Sequence, residues 1–331
     1  MSLSTEKLVL IRLIQAIPRY VSGASIAKSL DISRAAVWKA IRALRQNGYI
    51  IEAATNKGYR LIKEPDMLSP EGIKIYLPDE YKALKIVVRQ SAVSTNDEAK
   101  MLAIKGAAHG TAVLAETQSG GRGRYSRAFH SPAGTGLYMS AVLRPKISLS
   151  DTPIVTIAAA VAVCRSIRKL TGLLPAVKWV NDIYLGGKKI CGILTEAALD
   201  AESGEITGVV AGIGINVSTK TGEFPAELRD SAGSIYPDGN ALVSRNAFAA
   251  HILGELLGLC EGQRIADRDF MREYRELLFM LGKDVTFTRG AEQDTGVALD
   301  VDADGRLLVK RRADGEILAL NSGEIVTVRT L

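Results

Sequence analysis

The chain opens with apolar residues at helical spacing and then changes period. Leu10, Leu13, Ile14 and Ile17 mark one face of a helix that Pro18 ends. Ser25 to Leu30 suits a short second helix, with Ser22 or Ser25 near its cap. Asp31-Ile32 turns the chain, and Ser33 is placed to cap a third helix. On that helix Val37, Ala40, Ile41 and Leu44 form an inner stripe. Arg34, Trp38, Arg42 and Arg45 fall on the outward sector, and Gly48 stops the helix. Tyr49–Ile51 and Tyr59–Leu61 then read as strands joined across Asn56-Lys57-Gly58.

Lys63-Glu64-Pro65-Asp66 breaks the periodicity and predicts a domain boundary. Ser69-Pro70-Glu71 caps a short helix, and Leu84 to Arg89 reads as a strand. Ser94 and Asn96 precede a helix running to about Lys105. Gly110–Thr117, Leu137–Leu143, Pro175–Trp179 and Gly208–Val217 read as strands, and Ile154–Leu170 as a buried helix. Gly186-Gly187 between apolar runs is a hairpin signal. Ala247–Cys260 and Asp269–Leu277 read as helices. From Asp284 onward short strands alternate with Ala-Asp-Gly turns, the pattern of a small β-barrel. Three domains follow: residues 1–64, 65–278 and 279–331.

Charge separates the first of these from the rest. Residues 1–62 hold ten Lys/Arg against three Asp/Glu, while the remaining residues hold 32 against 33. Three helices, a hairpin and a basic surplus resemble a winged helix-turn-helix, with the third helix suited to the major groove. Ser33, Arg34, Trp38, Arg42 and Arg45 are its candidate DNA contacts. Trp38 stands among the polar positions, where it could stack on sugar, meet a thymine methyl group or pack on the wing. The longest nearly apolar run, Ile154 to Cys164, is well short of the ~20 residues of a membrane span. The charged N-terminal stretch does not read as a signal peptide. Cys164, Cys191 and Cys260 are too widely spaced for a metal motif and suit buried thiols in a cytoplasmic protein.

The densest chemistry lies between Thr117 and Ser140. Gly120, Gly121, Gly123, Gly134 and Gly136 alternate there with Arg122, Arg124 and Arg127, and no acidic residue occurs between Glu116 and Asp151. Glycines let backbone N–H groups approach an anion, and arginine forks grip phosphate or carboxylate. The spacing is neither a dinucleotide fingerprint nor a P-loop.

The ordered set Ser94-Thr95-Asn96, Gly121-Arg122-Gly123-Arg124, Ser131-Pro132, Lys178-Trp179-Val180-Asn181-Asp182, Lys188–Leu194 and Gly214-Ile215-Asn216 resembles the bifunctional bacterial biotin protein ligases, which are also biotin operon repressors. The resemblance covers nearly all the chain. It implies an α+β multidomain fold: a winged helix-turn-helix, a central α/β ligase domain like that of class II aminoacyl-tRNA synthetases and biotin/lipoate ligases, and a C-terminal SH3-like β-barrel.

It also implies a reaction. The family activates biotin with ATP and Mg2+ to biotinoyl-5′-adenylate, then passes the biotinyl group to a lysine of a biotin carboxyl carrier protein. By resemblance, Lys189 holds the carboxylate and phosphate oxygens, Asp182 binds Mg2+, and Lys178 is a second cation near the phosphates. Ser94, Thr95, Asn96, Gln118, Arg122, Gly123, Arg124, Lys189 and Gly192 are the biotin-binding residues. Arg122, Arg124, Phe129, Lys178, Asn181 and Asn216 are those for the nucleotide. The Gly-Arg-Gly-Arg loop is the expected lid, and Gly323-Glu324 is expected at the nucleotide end. Operator DNA and an adenylate-promoted homodimer complete the implied partners, with no membrane. A ligand sensor without transfer and a lipoate-type ligase are the alternatives. Two departures stand out: Phe129 where the family commonly has Trp, and Val180 where it has Pro.

Overall fold

The computed structural model describes residues 4–145, 151–199, 206–262, 264–289, 292–321 and 325–327. They form two compact units, one of residues 1–67 with 242–244 and one of 68–241 with 245–331.

In the first unit α1 (Thr5–Ala16), α2 (Gly23–Leu30) and α3 (Arg34–Gln46) each start at a serine. Ser4, Ser22 and Ser33 accept from backbone N–H groups of the first turns, satisfying donors that the helix itself leaves open. Val9, Leu10 and Leu13 of α1 meet Val37, Ala40, Ile41 and Leu44 of α3 in the core. The hairpin of β1 (Ile50–Ala54) and β2 (Gly58–Lys63) is antiparallel, with Ala54 opposite Gly58. Leu242–Ser244, distant in sequence, belong with this unit. Ser244 hydrogen-bonds the Glu64 carboxyl.

The second unit is built on one seven-stranded sheet. Its elements in chain order are α4 (Pro70–Tyr76), β3 (Ile86–Arg89), α5 (Thr95–Ile104), β4 (Ala112–Ala115), β5 (Gly136–Leu143), α6 (Thr152–Thr171), β6 (Ala176–Lys178), β7 (Asp182–Leu185), β8 (Lys188–Leu199) and β9 (Ile206–Asn216). α7 (Arg245–Cys260), α8 (Arg264–Asp267) and α9 (Met271–Leu277) follow. The strand order is β3-β4-β5-β9-β8-β7-β6, with β3 and β4 parallel and every other pair antiparallel. α6 is apolar nearly all round because it is packed by the sheet and by α7. On the other face α5 seals one end with Ala99 and Ala103 against Val113, Val142, Ala198 and Val210. The rest of that face is left open for the site.

α5 begins at Thr95, two residues before the start expected if Asn96 preceded the helix. Ser94 Oγ accepts from Asp97 N, so Ser94 is the cap and Asn96 lies in the first turn. The C-terminal strands β10 (Asp284–Arg289), β11 (Glu292–Val301), β12 (Leu307–Arg311), β13 (Ile317–Leu320) and β14 (Ile325–Thr327) form an antiparallel sheet in the order β13-β12-β11-β10-β14. Trp179 Nε1 donates to Gly305 O at 2.9 Å and Arg275 to Val301 O, which fastens that sheet to the core. Gly323 and Glu324 lie outside the described residues.

Candidate active site

A cavity of about 520 Å3 opens on the free face of the sheet, beside the N-terminus of α5. Of the small-molecule site residues named from the sequence, Ser94, Thr95, Asn96, Gln118, Arg122, Gly123, Arg124, Phe129, Lys178, Asn181, Asp182, Lys189, Gly192 and Asn216 line it. Its volume is within the usual range for a small-molecule site.

Glycines make its floor. A Cβ at Gly212 would stand 2.0 Å from Asn96 Oδ1, and one at Gly214 would stand 2.6 Å from the Phe129 ring. Bare backbone at these positions lets Asn96 and Phe129 lie directly on β9. The Phe129 ring also borders Gly192 and meets Tyr138 edge-on, at 6.4 Å between centroids. It is therefore a platform held by packing, which a phenyl ring supplies without an indole N–H.

At the α5 end the polar groups are joined to one another. Ser140 Oγ donates to Asn96 Oδ1 at 2.6 Å and lies 2.7 Å from Thr95 Oγ1. Asn96 Nδ2 donates to Leu194 O at 3.1 Å and Glu196 Oε2 at 2.7 Å. The Asn96 amide is thus used on the sheet and orders the pocket wall. Gln118 Oε1 accepts from Thr95 N at 2.8 Å. Arg122 pairs with Asp97 at 2.6 Å, and Lys100 with both Asp97 and Glu196. Against partial burial, which acts the other way, Arg122 and Lys100 hold the Asp97 carboxyl below its usual range.

At the other end are the cations and the carboxylate. Lys189 Nζ is 2.7 Å from Asp182 Oδ1. That oxygen is buried and has no aligned hydrogen bond, so the contact is ionic and not a directional bond. Arg124 reaches Asn181 Oδ1 at 3.5 Å, and Asn181 Nδ2 donates to Ile193 O at 2.9 Å. Lys178 lines the same region, and the Trp179–Val180 peptide bond is cis. Cys191 also borders the cavity, but burial pushes its thiol well up, so it stays protonated and is no nucleophile. Cys164 and Cys260 are buried and raised likewise.

The sequence reading missed one wall. Phe224, Leu228, Ser231 and Ala232 also line the cavity. Lys189 N donates to Ser231 O and Gly233 N to Lys189 O, both at 2.8 Å, and Asn216 Nδ2 donates to Gly233 O at 3.0 Å. The small-residue run Ser231-Ala232-Gly233-Ser234 was the available signal for so close a backbone approach. Ile325 of β14 lines the cavity too.

In the first unit, Arg34 and Arg42 are exposed on α3. Trp38 is 54% exposed, and the Arg42 guanidinium lies 5.7 Å from its ring centroid. Arg45 differs from its neighbours. Its Nε and Nη2 both donate to Ile51 O, tying α3 to β1.

A fold with this cavity is that of the biotin and lipoate ligases. Residues 88–216 match the biotin/lipoate A/B protein ligase family, residues 280–327 the biotin protein ligase C-terminal domain, and residues 5–60 an HTH domain. The bifunctional ligase/repressor BirA of Bacillus subtilis is 39% identical over 304 residues, spanning 89% of this chain and 91% of that one. Its Escherichia coli namesake is 29% identical over 307 residues, 92% of each chain. The Aquifex aeolicus biotin protein ligase in complex with biotin and ATP superposes with a TM-score of 0.62 at 26% identity, covering 74% of this chain and 99% of that one. This chain belongs to the bifunctional ligase/repressor family of biotin protein ligases. No helix among the described residues is long and apolar enough to cross a membrane.

Proposed function

We propose that the protein activates biotin with ATP, transfers it to a lysine of a biotin carboxyl carrier protein, and represses biotin-synthesis genes when the adenylate is bound. The observation that carries this reading is the single cavity in which Lys189, Asp182, Arg124 and the Ser94–Asn96 turn meet on one sheet face.

In the first step a biotin carboxylate oxygen attacks the α-phosphorus of ATP and pyrophosphate leaves. Two anions must approach, so preorganised cations set the rate. Lys189 spans the carboxylate and phosphate oxygens, leaving Asp182 as it does so, and Lys178 adds positive charge. Mg2+ bound largely by substrate phosphates needs one or two protein carboxylates, and Asp182, with a buried oxygen lacking an aligned hydrogen bond, fits that part. Mg2+ there would neutralise charge on the phosphates.

Ser94, Thr95 and Gln118 face the biotin head, with Asn96 fixing their frame. Phe129, Asn181 and Asn216 serve the nucleotide half. Arg124 and Gly123 close over the mixed anhydride and keep water from it. In the second step the carrier lysine amine attacks the acyl carbon and AMP leaves. Residues 1–64, 65–278 and 279–331 serve as DNA-binding, ligase and C-terminal domains of a cytoplasmic protein. Adenylate promotes a homodimer that presents two recognition helices to two half-sites.

The test is to incubate the full chain with ATP, labelled biotin and an apo biotin carrier domain. Labelled carrier supports the reading. Adenylate without carrier labelling leaves a ligand sensor, and activity with lipoate in place of biotin would make it a lipoate-type ligase.

A further inference from the structure

Between Gly121 and Phe129 the lid is a hairpin. Phe129 N donates to Gly121 O at 2.9 Å, Gly123 N to Arg127 O at 2.8 Å, and Arg127 N to Arg124 O at 3.3 Å. Tyr125 and Ser126 form its tip, both with φ of 55°. Two positive-φ residues in a two-residue hairpin turn are normally Asn or Gly, because a Cβ is crowded in that conformation. Here neither residue is of that kind, and the first is a large aromatic.

The Tyr125 ring compensates through its neighbour. The Arg124 guanidinium carbon lies 5.2 Å from the ring centroid, and Arg124 Nη2 donates to Tyr125 Oη at 3.3 Å. The opposite edge of the same guanidinium, Nη1, reaches Asn181 Oδ1 on the cavity wall. Tyr125 is 62% exposed, so core packing does not account for its size. The left-handed turn brings the ring back onto the preceding arginine.

We infer that Tyr125 is a positioning residue: its ring holds Arg124 across the mouth of the cavity, in reach of Asn181, so that the lid retains the acyl-adenylate. An aromatic ring beside a guanidinium orients it at little cost in bonding capacity, because the guanidinium has five N–H donors and only two nitrogens are engaged here, by long contacts at 3.3 and 3.5 Å. The inference rests on Arg124 being the lid residue that retains the adenylate.

The experiment measures release of labelled biotinoyl-adenylate from the full chain after a chase with unlabelled biotin and ATP. Single-turnover transfer to an apo carrier domain is followed in parallel. Tyr125→Asn keeps a residue suited to the turn and deletes the ring, so it separates the ring from the hairpin. Tyr125→Asn and Tyr125→Ala are expected to release adenylate about fivefold faster, the size of a partly exposed cation–π contact. Tyr125→Phe stays close to wild type, and transfer from the bound adenylate is unchanged. Arg124→Ala accelerates release, and adding Tyr125→Ala to it has no further effect. If Arg124→Ala accelerates release but Tyr125→Asn does not, or if the two effects add, the role of Tyr125 is refuted. If Arg124→Ala itself leaves release unchanged, the assignment of Arg124 fails and the inference falls with it.

Discussion

Lys189 Nζ and Asp182 Oδ1 are 2.7 Å apart across the β7–β8 hairpin, so the proposed activating lysine is neutralised by the proposed metal ligand when no anion is present. Their side chains are 36% and 22% exposed, open enough for an incoming phosphate to take the lysine's place. Asp182→Asn should remove both the resting partner and the carboxylate for Mg2+. Adenylate formation should fall by about 10–100-fold, the usual cost of disturbing a metal environment. The half-saturating Mg2+ concentration should rise, read from a Mg2+ titration at fixed ATP. Unchanged Mg2+ dependence would remove Asp182 from the metal role.

Gly212 lies under Asn96, and its missing side chain holds the network together. A Cβ there would meet Asn96 Oδ1 at 2.0 Å, and Asn96 is tethered by Ser140, Leu194 and Glu196. Gly212→Ala should expel the amide, leaving buried partners unsatisfied at about 1–3 kcal/mol. Biotin KM should rise more than ATP KM, measured with urea unfolding on the same protein.

Glu64 gives the first unit a pH dependence. Burial, then the neighbouring Asp66 charge, pushes its carboxyl up to about 7, with the Ser244 hydrogen bond acting the other way. The folded state therefore keeps a proton that the unfolded chain loses near 4.5. Stability should fall as pH rises from about 4.5 to about 7 and level off above that, by an amount on the order of 2–3 kcal/mol. Trp38 and Trp179 lie in different units, so urea unfolding of a Trp179→Phe chain, read by Trp38 fluorescence at pH 5 and 7.5, reports on this one. Glu64→Gln should flatten the profile.

On α3 the arginines should not behave alike. Arg34→Ala and Arg42→Ala should each reduce the salt slope of DNA binding by about one, as lost phosphate contacts do. Arg45, whose guanidinium serves Ile51 O, should chiefly lower the stability of the first unit when changed to alanine. Equal salt slopes for all three variants would contradict the assignment.

Local chemistry was legible from the sequence and tertiary partners were not. Helix starts at Ser33 and Ser94 could be read because a cap needs only the next turn. The cavity residues were found through ordered motifs on strands and their turns. The bonds of Asn96 to Glu196 and of Arg45 to Ile51 could not be read, since those partners come from other elements. The wall from Phe224 to Ala232 has no periodic pattern, and it is brought in by backbone pairing with Lys189. Nor could any local signal show that Leu242–Ser244 join the first unit.

The most direct measurement is biotin-dependent exchange of labelled pyrophosphate into ATP, which isolates the activation step from transfer and repression. The wild-type chain should catalyse exchange only when biotin is present. Lys189→Ala should abolish it while leaving DNA binding by the first unit intact. Exchange that persists in Lys189→Ala, or that the wild-type chain does not catalyse, would contradict the account.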